Sequence, residues 1–283
     1  MAPDRSRRSR PKRAQPKGRL AAPSAAREAD PGPAAALEEI QRVVDMPLAE
    51  LMGTAEERAE VEELTRQAAA TPAMARLREL MDIVGSARPV TQAGNLKVPD
   101  AVAFARRLGV PDDVLEDVRS MDDLPEVARL FRWASAAGLV VRRGTRLVAG
   151  PYAGDMGRDP LGAWLRIATT LLEHGPLDGF RRGWRKRYVE LLDTDVAGLL
   201  VALEEAGGSV PLATIEERGW EQVADHYGYD PDDGDERRSV ARLIGALVGE
   251  LVELGAVARK RDDVVLTGLG SALAGIAVLA SDD

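Results

Sequence analysis

Five arginines gather in one short stretch of this chain: Arg129 and Arg132 in LPEVARLFRWASAAG, then Arg142, Arg143 and Arg146 in LVVRRGTRLV. A guanidinium is a planar fork of donors that matches phosphate oxygens. A cluster of them on one surface is chemistry for holding a nucleic-acid backbone, not for making or breaking bonds. The plainer alternative is that the charges only solvate a helix and a hairpin. Helical spacing puts Glu126, Arg129, Arg132 and Ser135 opposite the apolar residues of their segment, so that face is expected to be exposed. A second basic stretch, RRGWRKRY (181–188), interleaves five arginine and lysine residues with Trp184 and Tyr188. Such a mixture can stack on bases, or its rings can be core with charged stems laid over them.

Residues for catalysis are scarce. There is no cysteine, and the only histidines, His174 and His226, stand 52 positions apart. DPDDGDE (230–236) lacks the alternating ligands, the sixth-position glycine and the twelfth-position glutamate of a calcium loop, so it reads as a solvated loop capping the helix that follows. No phosphate-binding glycine loop and no nucleophile elbow is present. The expectation is a non-enzymatic protein without cofactor or metal.

The elements that must position the arginines follow from periodicity and punctuation. Helices are predicted at Leu37–Leu51 (interrupted at Pro47), Ala55–Gln67 and Met74–Val84, followed by a short extended piece at Val90 and Thr91 with a turn at Gly94 and Asn95. Pro99 opens a helix ended by Gly109, and Pro125 opens another ended by Gly138. Leu139–Arg142 and Leu147–Ala149 around Gly144 then make a hairpin. Further along, helices are predicted at Leu161–Leu172, Val189–Ala206, Thr214–His226 and Arg237–Leu254. GGSVPLA is read as a turn and strand, Val257–Leu266 as a hairpin, and Ser271–Leu279 as a last helix.

The two hairpins are written alike. GLVVRRGTRLVAG (138–150) and GAVARKRDDVVLT (255–267) align without a gap at an offset of 117. Each follows the order helix, strand, helix, helix, hairpin, which is the element order of a winged helix. The predicted fold class is therefore mostly α, with two winged-helix units in tandem. The expected boundaries are a disordered basic tail (1–34), a helical N-terminal region (35–73), a first unit (74–150), a linker (151–160) and a second unit with a C-terminal helix (161–283).

RPVTQAGNLKVPDA (88–101) and DLPEVARLFRWASAAGLV (123–140), with LLEHGPL (171–177) and IEERGW (215–220), resemble a family of actinobacterial-type tandem winged-helix proteins, some of which carry a SEC-C-type C-terminal domain. No such extra domain is expected here. The resemblance spans roughly residues 75–270 and implies a fold; it brings no family-wide activity with it.

Charge separates the tail from the rest. The chain carries a net charge of −8, yet residues 1–28 hold nine basic against two acidic residues, a balance of +7 that leaves −15 on the remainder. A basic arm on an acidic body is the pattern of a tether for polyanions, or of a solubilising leader. Pro23 and neighbouring charges break any apolar run of a signal peptide, and no spanning segment is read, so a cytoplasmic location and no membrane partner are expected.

The leading functional expectation is DNA binding through Arg129, Arg132, Arg142, Arg143 and Arg146, with a regulatory role. The alternative is a protein-interaction module that has lost DNA contact, possible homo-oligomerisation included. In the second unit, Ala241, Gly245 and Gly249 line one face of the third helix, which suits the close approach of another helix.

Overall fold

Thr54 opens the first helix, α1 (Ala55–Ala70), with a reciprocal cap: its hydroxyl accepts from the Glu57 N–H and the Glu57 carboxylate accepts from its own N–H. This satisfies two donors that helix geometry would otherwise leave unpaired. Thr71 both ends α1 and caps α2 (Pro72–Val84), accepting from the Met74 N–H. The computed structural model describes residues 54–177, 186–193, 195–230 and 232–281. The predicted tail, the predicted helix Leu37–Leu51 and Trp184 lie outside the described residues.

After α2 come β1 (Arg88–Pro89), α3 (Val98–Arg107), the single turn α4 (Asp112–Leu115) and a 3-10 turn at Met121–Asp123. Asp123 accepts from the Arg119 and Ser120 N–H groups, and these backbone donors hold its carboxyl below the usual range. Helix α5 (Pro125–Ala136) leads through Gly138 into β2 (Val140–Arg143) and β3 (Arg146–Ala149). The sheet is antiparallel in the order β1-β3-β2.

The stretch read as a linker contains α6 (Asp155–Arg158), with Met156 in the core, and runs into α7 (Pro160–His174). Helix α7 packs against α1 and α5, so its company is that of the first sheet.

The single helix expected over Val189–Ala206 is two: α8 (Lys186–Asp193) and α9 (Val196–Glu205). The break coincides with a long-range tie. Asp193 is buried, and its carboxylate turns back to accept from the Leu177 N–H at 2.9 Å, a tie between distant backbone segments that a helix facing solvent would not make.

Then follow β4 (Ser209–Pro211), α10 (Leu212–Tyr227), α11 (Gly234–Leu254), β5 (Val257–Lys260), β6 (Asp263–Leu266) and α12 (Gly268–Ser281). The acidic loop before α11 acts as a cap: the Asp233 carboxylate accepts from the Asp235 and Glu236 N–H groups at 3.2 Å. The second sheet is antiparallel in the order β4-β6-β5, the same arrangement as the first.

The fold is mostly helical with two small antiparallel sheets. Its buried side chains form one continuous core running from Ala68 to Ala274. Helix α1 touches α2 and α7 on one side and α12 on the other, while α2 packs on α3, α5 and α11. Among the described residues no helix is long and apolar enough to cross a membrane.

The offset read in the sequence is an offset of structure. β2 and β5 differ by 117 positions, as do β3 and β6. Gly138 and Gly255 before them share a positive φ, 68° and 82°. At the hairpin tips the first turn residue is Gly144 (φ 62°) in one and Arg261 (φ 56°) in the other. Only the second of these carries a Cβ in the left-handed region, where it is disfavoured.

Candidate nucleic-acid interface

The first hairpin is buried at its base and exposed at its tip. Val140 and Leu147 point into the core, and Arg142, Arg143 and Arg146 are exposed. In the register Arg143 stands directly opposite Arg146 across the strands. Like charges in that position repel by a few tenths to about 1 kcal/mol. None of the three arginines pairs with a carboxylate among the described residues. Arg142 is steadied by its own turn: its Nε donates to the Gly144 carbonyl at 2.8 Å, and its side chain lies over Gly94 in the loop before α3, where an added Cβ would meet Nη1 at 3.1 Å.

The second hairpin is different at the matching place, where Lys260 stands opposite Asp263 and Asp262 sits in the turn. The first tip is therefore a concentrated positive charge, and the second is mixed.

Arg129 is not on that surface. Its guanidinium lies in the body of the protein and pairs with Glu250 and Glu253 on α11. Arg76 of α2 joins the same group, bonding Glu126 of α5 and Glu253, the latter at 2.9 Å. The side chains of Arg129, Glu250 and Glu253 are only 15%, 8% and 9% exposed. The expectation that Glu126 and Arg129 present themselves to solvent is thus corrected. The physical reason is that α11 passes over this face of α5 and supplies two carboxylates, and a buried guanidinium is stable only when paired.

Two arginines and three glutamates leave this group one negative charge in excess. Burial pushes the Glu250 carboxyl up to about 7, and the adjacent Glu253 and Glu126 push the same way against the pull of Arg129. Burial also works against the Arg129 charge, but Glu250 and Glu253 outweigh it and hold the guanidinium above its ordinary range. Arg129 also stands over the Trp133 ring, 5.1 Å from its centroid. Arg132 is half-buried and lines the hollow between α5 and α7.

The structure therefore brings three of the five sequence-predicted arginines together, at the hairpin tip, and draws Arg129 into an ion cluster between elements. Glu250 and Glu253 are the site residues that the sequence reading does not single out. The signal that marks them is their position in GELVELG, where the two acids fall among Leu247, Val248, Leu251 and Leu254, all buried.

Three other expectations resolve locally. Tyr188 is core, its hydroxyl bonded to Tyr229 at 2.8 Å and Glu236 at 2.9 Å. Gly245 and Gly249 face open space, and a Cβ at either would meet nothing within 4 Å, so among the described residues no helix packs on these two glycines. His174 and His226 end two different helices, and among the described residues no group of three or more acidic or histidine side chains is placed to hold a metal ion.

Comparison of the chain with protein families, curated proteins and solved structures finds no match. The functional reading rests on the residues just described.

Proposed function

We propose that the chain is a non-enzymatic, regulatory DNA-binding protein composed of two winged-helix units in tandem, in which the first hairpin is the wing that meets the duplex. What supports the architecture is the shared order of elements and the shared order of strands in the two sheets. The observation that carries the function is the hairpin tip: Arg142, Arg143 and Arg146 are exposed, Arg143 stands opposite Arg146, and among the described residues no carboxylate compensates them. Phosphate oxygens would relieve that repulsion. Such contacts supply affinity and orientation, not sequence reading. With Arg129 committed to Glu250 and Glu253, base recognition by the face of α5 is not part of the proposal.

The same ion cluster favours a second reading, a protein-interaction module, because it seals a face that a DNA reader would present to the groove.

The experiment is binding to random-sequence duplex DNA across a salt series. It compares the full chain, a chain starting at Ala35, and the full chain with Arg142, Arg143 and Arg146 changed to Ala. Each lost phosphate contact lowers the slope of log K against log salt by roughly 0.9. The proposal expects a flatter slope and weaker binding for the triple variant, with salt-dependent binding kept by the shortened chain. Equal binding by the triple variant and the full chain refutes it and leaves the interaction-module reading.

A further inference from the structure

A cavity of about 290 Å³ opens in the second sheet's half of the molecule, between α9, α10 and α11. Its floor is core: Leu203, Ile215, Ile244 and Leu247 line it and are buried. Ala202 keeps the α9 wall low, while Gly198 and Gly219 let the Asp195 carboxylate and the Ile244 methyl lie against their helices. Gly219 is where α10 lies closest to α11, since an added Cβ there would collide with the Ile244 methyl. Packed interiors seldom leave such a hole, because the atoms lining it forfeit their contacts.

The mouth is polar. Asp195, Arg218 and Gln222 border it. None of their side chains makes a hydrogen bond or ion pair among the described residues. Asp195 precedes the first turn of α9 without capping it. Arg218 stays unpaired although its neighbour Glu217 bonds Arg237. An apolar chamber with one cation and one anion at its entrance, each lacking a partner, is complementary to a molecule with an apolar body and both charges at one end.

We propose that this cavity binds a free apolar α-amino acid of about the size of leucine or isoleucine, its side chain on the leucine and isoleucine floor, its carboxylate on Arg218 and its ammonium on Asp195. The volume, about 290 Å³, sets the scale as that of a small molecule and not a single water. Gln222 borders the same mouth. The assignment does not depend on the hairpin meeting DNA.

Titration calorimetry of the full chain with L-leucine tests it, with isovalerate and isoamylamine as ligands that each keep one charge. The expected result is a single site for L-leucine, weakened at least tenfold by Arg218→Ala and by Asp195→Asn. Both changes are at exposed positions and leave the core intact. Ala202→Phe, which fills the chamber, is expected to abolish binding with the far-ultraviolet circular dichroism unchanged. Absence of heat with L-leucine and L-isoleucine at millimolar concentration overturns the site. Binding of isovalerate or isoamylamine as tight as that of leucine overturns the two-charge assignment.

Discussion

Replacing Glu250 by glutamine is expected to stabilise the protein at pH 8 and to leave it nearly unchanged at pH 5. The cluster of Arg76, Arg129, Glu126, Glu250 and Glu253 carries three negative and two positive charges when every group is ionised. Glutamine keeps the shape and an acceptor oxygen for Arg129 while balancing the charge. The magnitude comes from the Glu250 carboxyl, which burial raises from 4.5 to about 7. A group raised in this way binds its proton more tightly folded than unfolded. The stability it contributes is fully present below pH 4.5 and is lost as pH rises through about 7. At about 1.4 kcal/mol per tenfold in proton affinity, the loss is on the order of 3 kcal/mol between those limits. Glu250→Gln removes the loss, so its advantage at pH 8 is about 1–3 kcal/mol. Urea unfolding followed by tryptophan fluorescence reads this directly, because Trp133, Trp164 and Trp220 are all buried. Arg129→Met is the counterpart: it strips Glu250 and Glu253 of their shared partner, at a cost of about 3–5 kcal/mol at pH 8 and less at pH 5. A glutamine variant less stable than the parent at pH 8, or with the same difference at both pH values, refutes the reasoning.

Three further changes test the packing. Arg261→Gly relieves a left-handed residue (φ 56°) and is expected to raise the urea midpoint by an amount equivalent to about 1 kcal/mol. Trp164→Phe strips the Leu254 carbonyl of the indole N–H that reaches it at 2.7 Å inside the core, with an expected loss of about 1–3 kcal/mol in the same assay. Gly109 and Gly175 share a positive φ (84° and 81°), but a Cβ at Gly109 meets nothing while one at Gly175 strikes the buried Asp193. Thermal unfolding should therefore show Gly109→Ala costing about 1–2 kcal/mol and Gly175→Ala considerably more.

Local features were legible in the sequence, and long-range ones were not. Pro125 and Gly138 bracketed α5 because proline suits a first turn and glycine tolerates the left-handed cap, and the observed helix is Pro125–Ala136. The two hairpins announced themselves by alternation and by a glycine at each entry. The fate of Arg129 was hidden because its partners lie 121 and 124 positions away, and nothing in the α5 segment distinguishes a solvated arginine from a paired one. The break between α8 and α9 was missed for the same reason: apolar periodicity runs through it, and Asp193, where α8 ends, is held by the distant Leu177 N–H. The cavity was equally invisible, since its lining is gathered from α9, α10 and α11, which the sequence keeps apart.

The last turns of α11 are held at several points. Leu251 and Leu254 are fully buried, Glu250 and Glu253 are held by Arg129 and Arg76, and the Leu254 carbonyl is taken by Trp164. These pairs tie the two halves of the described chain together. A cut near residues 150–160 would leave two guanidinium groups on one fragment and their two carboxylates on the other, each beside newly bared apolar surface. Two such pieces are matched halves of a broken object: apart they lack the means to stand, and mixed they have every reason to rejoin. Limited digestion should therefore yield a nicked but intact body, whose amide protons in this part of α11 exchange only when the whole chain unfolds.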